Sequence, residues 1–110
     1  MVEVLAGNNG VVRFSNSAFW GPCNQIAKIG GGTVGFSDCT FVEWKKDRAA
    51  IQVSGGSALI RGCDFRQDQP HIALSEGVDR AVITGNLFAG KPQIRNASTR
   101  DVQIGLNSAL

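Results

Sequence analysis

Ile83-Thr84-Gly85-Asn86-Leu87-Phe88 reads as a short extended piece, a bend at Gly85-Asn86, and the start of a second extended piece. Taken from Ala81, the same pattern can be laid over Val12 to Phe19, Val34 to Phe41 and Ala58 to Phe65. In every copy the first and third residues are apolar, the sixth is small or polar, and the eighth is phenylalanine. Apolar residues two apart share one face of a strand. The four phenylalanines, Phe19, Phe41, Phe65 and Phe88, are 22, 24 and 23 residues apart. A period of that size is the mark of stacked repeat units.

Outward from each phenylalanine comes a polar loop of variable length and then a second alternating pair: Ala27 and Ile29, Ile51 and Val53, Ile72 and Leu74, Ile94 and Asn96. These predict a third strand in each repeat. Small or glycine-rich corners follow, Gly30-Gly31-Gly32, Ser54-Gly55-Gly56, Ser75-Glu76-Gly77 and Ala97-Ser98-Thr99. Three short strands cannot each bury an apolar face alone, but coils stacked about 4.8 Å apart place like residues over like and enclose a shared core. The expected fold is all-β, a right-handed parallel β-helix forming one domain over residues 1–110. It has about four coils, near 11–32, 33–56, 57–78 and 79–99, with partial coils at 1–10 and 100–110. The expected inward columns are Val12, Val34, Ala58, Ala81; Phe14, Phe36, Ile60, Ile83; and the four phenylalanines.

Composition agrees with a folded chain of short strands and tight turns. Of 110 residues, 43% are hydrophobic and 18% charged, with 14 glycines, 3 prolines and no tyrosine. A net charge of +2 is too small to imply a nucleic-acid partner. No apolar stretch has the roughly 20 residues of a membrane helix, and Met1 to Gly10 lacks the form of a signal peptide. Cys23, Cys39 and Cys63 are odd in number and contain no CxxC pair, which argues against a disulfide framework or a zinc site. Cys39 and Cys63 fall on one column and are expected as inward thiols, although a bridge between adjacent coils is sterically conceivable. Gly30-Gly31-Gly32-Thr33-Val34-Gly35 formally fits GxGxxG, but a strand follows it where a dinucleotide site needs a helix, so it is read as a corner. No cofactor is expected.

The bend pattern, best developed as Ile83-Thr84-Gly85-Asn86-Leu87-Phe88, resembles the coil motif of pectate-lyase-like right-handed β-helix proteins, and the likeness runs over nearly the whole chain. The resemblance implies an internal ladder at the asparagine position. Here only Asn86 carries it, with Ser17, Cys39 and Cys63 at the equivalent places. The resemblance also implies a substrate groove over the third-strand sheet. By residue type the outward positions there are Lys28, Gln52, Ala73 and Arg95, with His71 and Gln93 near the strand starts. None is a carboxylate, whereas glycosidic hydrolysis generally uses two, about 5 to 9.5 Å apart. The acidic and Gly-His-Gly signatures of polygalacturonases and the aspartate cluster of calcium-dependent lyases are missing from the sequence. An extracellular setting is consistent with the resemblance, and the residues themselves leave localisation open.

Candidate ligand-binding residues lie in the loops after the phenylalanines: Trp20, Trp44, Asp47, Arg48, Arg66, Asp68 and His71. An indole face flanked by charged hydrogen-bonding groups suits a sugar ring, which stacks through its C–H face and bonds outward through its hydroxyls. The favoured reading of each tryptophan is nevertheless a lid folded back on the core, and that of His71 a solvated residue at a strand start, with the sugar-binding surface as the alternative. The segments before Val12 and after Val102 show no polar cap. Such ends predict either continuation into a longer β-helix or self-association through the coil ends. The expectation is therefore a non-catalytic structural or binding module for an oligosaccharide or polysaccharide, forming homo-oligomers. The alternative is a truncated or miniature polysaccharide lyase or glycoside hydrolase.

Overall fold

Each repeat folds as three strands separated by two sharp corners and a loop. The computed structural model describes all residues, 1–110. The first coil contains β1 (Val2–Val4), β2 (Val11–Ser15) and β3 (Ala18–Cys23). The second has β4 (Ala27–Ile29), β5 (Thr33–Ser37) and β6 (Thr40–Trp44), and the third β7 (Ile51–Val53), β8 (Gly56–Arg61) and β9 (Asp64–Phe65). In the fourth lie β10 (Ile72–Leu74), β11 (Val78–Thr84) and β12 (Leu87–Phe88); β13 (Ile94–Asn96), β14 (Asp101–Gly105) and β15 (Ser108–Ala109) complete the fifth. Every strand pairs in parallel with its equivalent one coil away, giving three five-stranded sheets. Sheet A is β1-β4-β7-β10-β13, sheet B is β2-β5-β8-β11-β14, and sheet C is β3-β6-β9-β12-β15.

The architecture is the expected all-β solenoid, with five coils in place of four and two partial ends. The difference comes from the terminal segments. Backbone pairing does not require the phenylalanine, so β15 joins sheet C with Ala109 beside Phe88, and β1 joins sheet A with Val2 beside Ala27.

One backbone conformation makes the corner between sheets B and C. Asn16, Asp38, Gly62, Gly85 and Leu106 occupy the same place in successive coils, and all have positive φ, between 49° and 68°. The left-handed region is open to glycine and tolerated by Asn and Asp, which explains four of the five residues. At the corner after sheet A, close stacking adds a second demand: a Cβ on Gly56, φ 75°, would stand 2.4 Å from the Gly32 carbonyl oxygen of the coil beside it.

Inside, the expected columns form in register. Val12, Val34, Ala58 and Ala81 continue to Val102, and Phe14, Phe36, Ile60 and Ile83 continue to Ile104. Phe41 stacks on Phe19 at 5.3 Å and on Phe65 at 4.7 Å, and Phe65 stacks on Phe88 at 4.9 Å, measured between ring centroids. The second column meets the first edge-on, as in Phe36 against Phe41 at 5.6 Å. Phe36, Phe41, Phe65 and Phe88 are fully buried, each contributing about 1.5–3 kcal/mol relative to exposure. At the bend, Cys39 and Cys63 point inward as free thiols. Asn107 extends the Asn86 position into a two-member asparagine ladder: Asn86 Nδ2 donates to Asn107 Oδ1 at 3.1 Å, and Asn107 Nδ2 donates to the Ile83 carbonyl at 3.1 Å.

Candidate functional site

Alternation along three-residue strands fixes what sheet A shows to the outside. Its flanking residues, apart from the exposed Asn96, pack into the core, so the central residues Glu3, Lys28, Gln52, Ala73 and Arg95 form one row across the five strands. Gln52 lies over this row, its Nε2 donating to Ser75 Oγ at 3.0 Å. The segment between β6 and β7 rises beside the row and makes it concave. The result is an open groove of about 750 Å³, lined by Gln25, Lys28, Asp47, Arg48, Ala49, Gln52, Pro70, Ile72, Ala73, Gln93, Ile94 and Arg95. Three cations, Lys28, Arg48 and Arg95, share it with a single carboxylate, Asp47, and three side-chain amides. Ala49, Pro70, Ile72, Ala73 and Ile94 are the apolar residues along it; Ala49, Ile72 and Ala73 are buried, so its surface is mainly polar.

The raised segment is tied to both neighbouring coils. Gln25 Nε2 donates to the Ala49 carbonyl at 3.0 Å, and the Arg48 amide closes a turn on the Lys45 carbonyl at 3.1 Å. Trp44 anchors the other side. It is only 5% exposed, with its indole N–H donating to the Pro70 carbonyl at 2.9 Å and its ring edge-on to Phe65. Trp44 is therefore a core lid and offers no face to a ligand, and what it contributes to the groove is the position of Pro70.

His71 lies fully buried beside Phe65, Phe88 and Trp44, so the expectation of a solvated histidine does not hold. Its partners explain the burial. Nδ1 accepts the Gln93 amide N–H at 3.0 Å, which leaves Nε2 as the protonated nitrogen, 2.8 Å from the Gln67 carbonyl. Loss of hydration in this position holds its pKa below the ordinary histidine value of 6.5, against the opposing pull of the Gln67 carbonyl, the Asp68 charge and a backbone contact at Ala89. The ring's role is to pin the start of β13, and with it Gln93, along the groove.

Of the seven candidate residues, the structure brings only Asp47 and Arg48 into the groove. Asp68 stands one contact behind it, with Oδ1 accepting from Gln93 Nε2 at 3.1 Å. Arg66 pairs with Asp64 at 2.6 Å on the outside of sheet C. Trp20 is 73% exposed and borders a separate apolar hollow with Met1, Val2, Phe19, Pro22, Cys23 and Ile26 at the first coil. The indole platform and the charged groove thus lie on different parts of the surface. Gln25 and Pro70 are groove residues that the sequence did not single out. Gln25 precedes its strand without alternation to mark it, and only its bond to residue 49 reveals its place.

The thiols add no nucleophile to the groove. Cys63 Sγ bonds the Arg61 and Phe36 carbonyls at 3.3 and 3.5 Å, and burial pushes its pKa up to about 12. No three His, Cys, Asp or Glu side chains come together where they could hold a metal ion. Compared with protein-family models, curated proteins and solved structures, the chain matches none of them.

Proposed function

We propose that the chain is a non-catalytic binding module that holds a stretch of saccharide in the sheet A groove, and that its copies associate through their end coils. The observation that carries the reading is the lining of the groove: amide and guanidinium donors converging along one row, with one carboxylate and the edge of Pro70. Hydroxyls and ring oxygens are served by Gln52, Gln93, Arg48 and Arg95, and a C–H face by the half-buried Pro70. Hydrolysis of a glycosidic bond by the usual route requires a second carboxylate that this lining does not contain. The likeness of the coil motif to pectate-lyase-like β-helices supports the choice of ligand class, since the glycan-cleaving members of that family lay their substrate over the corresponding sheet.

Binding to a panel of acidic and neutral polysaccharides, measured beside release of reducing or unsaturated ends from the same panel, tests the reading. Binding without turnover is expected, and Arg48→Ala or Arg95→Ala is expected to weaken it about tenfold, the equivalent of one lost charge-assisted hydrogen bond. Turnover abolished by Asp47→Asn would establish instead the rival reading of a truncated or miniature lyase or hydrolase. Unchanged affinity in both arginine variants would remove the groove as the site.

A further inference from the structure

We infer that copies of this chain stack head to tail, with the β13-β14-β15 coil of one copy against the β1-β2-β3 coil of the next, so that all three sheets run through the junction. The inference rests on the self-association proposed above and specifies its partner, polarity and register. Its first support is where the uncovered apolar surface lies. Columns that are sealed in the inner coils are half-open at both ends: Val2, Val12, Phe14 and Phe19 on one, Ile94 and Val102 on the other, with Ile104 44% exposed.

The two ends also match each other in the spacing of the existing repeat. Continuing each sheet by one strand places Val2 of the next copy on Ile94, Val12 on Val102, and Phe14 on Ile104. The last two combinations repeat contacts the chain already makes, Val12 beside Val34 and Phe36 beside Ile60. Phe19 falls on Ala109, a large side chain over a small one. Unpaired backbone groups on β1, β2 and β3 meet those on β13, β14 and β15 in the same parallel sense as every internal pair.

Charge then selects the polarity. Glu3 and Arg95 are the two ends of the outward row of sheet A, and neither has an ion-pair partner within the chain. Head-to-tail stacking sets them side by side across adjacent strands, where opposite charges attract and like charges repel. A two-fold junction of like ends that pairs sheet A with itself would face Glu3 with Glu3 or Arg95 with Arg95, and one that pairs sheet A with another sheet would leave both charges unmatched. Because the head-to-tail contact joins different surfaces, it adds copies in series and does not close at a dimer.

Sedimentation velocity and light scattering on the 110-residue chain across a micromolar concentration series provide the test, with Glu3→Arg and Arg95→Glu as variants. Both positions face outward, and circular dichroism checks that each variant folds. For the unmodified chain, mass is expected to rise with concentration beyond a dimer, and electron micrographs are expected to show rods with an axial repeat of about 24 Å, five coils at about 4.8 Å. Each variant alone is expected to stay small, because every junction would join like charges. An equimolar mixture of the two variants is expected to regain assembly, because alternating copies restore opposite charges at every junction. A monomer at all concentrations would overturn self-association and this inference with it. A species that stops at a dimer, or single variants that assemble as the unmodified chain does, would overturn the head-to-tail register while leaving association through an end coil intact.

Discussion

Burial and hydrogen bonding hold His71 to one proton arrangement, and the consequence is a stability that depends on pH. Protonating Nδ1 would turn it toward the Gln93 N–H it now accepts, setting donor against donor in the core. The folded-state pKa is lowered from 6.5, so between that value and the lower folded one the unfolded chain binds the extra proton. The His71 contribution is therefore complete above pH 6.5 and is lost as pH falls below it. Urea midpoints at pH 7.5 and 5.5 are expected to differ in the unmodified chain, and His71→Gln is expected to reduce that difference; an equal slope in the variant would assign it to other groups. Leu106 offers the opposite case, a residue that costs stability where it stands. It holds φ at 56° and is 90% exposed, so its side chain gains little burial for an unfavourable backbone. Leu106→Gly is expected to raise stability by roughly 0.5–1 kcal/mol, the left-handed penalty less the added flexibility of the unfolded chain. A lowered urea midpoint would show that Leu106 packs against something, such as a stacked copy.

Strands and columns are where the sequence was most informative. A period set by one phenylalanine and two alternating apolar residues fixes register, because a shift by one residue would turn every inward side chain outward. Phe14, Phe36, Ile60 and Ile83 could be aligned from the sequence for that reason, and so could the outward row of Lys28, Gln52, Ala73 and Arg95. The depth of the groove was not legible, since it depends on how far residues 45–50 stand off the sheet. That distance is set by Gln25 on Ala49 and Trp44 on Pro70, bonds between residues 24 and 26 apart that leave no local pattern. His71 was missed for a related reason. A polar side chain at a strand start reads as solvated until Gln67 and Gln93 are known to satisfy both of its nitrogens. Position within a column also grades the cost of losing a member. Phe65 lies between Phe41 and Phe88 with no exposed surface, and Phe65→Ala is expected to cost about 3–5 kcal/mol. Phe19, half-open in the first coil, is expected to cost clearly less on the same change, and equal losses at the two sites by urea denaturation would mean that the first coil is already covered.

For the molecule as a whole, a stack of coils that touch only their neighbours distributes stability along one axis. Each inner coil is held from two sides and each end coil from one, so local opening starts at the ends. Amide exchange at low protein concentration is expected to be slowest in β7 and β8 and fastest in β1, β2, β14 and β15. The same gradient reports on the ends in a second way. Head-to-tail stacking gives an end coil the second neighbour it lacks, so raising the concentration should slow exchange in the terminal strands while β7 and β8 change little. It should also bring the sheet A rows of successive copies into line, Arg95 of one beside Glu3 and then Lys28 of the next, and so lengthen the groove available to a polymer. A long saccharide would then bind more tightly than a short one by linking copies, and its addition would slow exchange in the terminal strands at concentrations where the chain alone is a monomer. If long and short saccharides protected only groove segments, to the same extent, the groove would act within single copies and stacking would contribute nothing to binding.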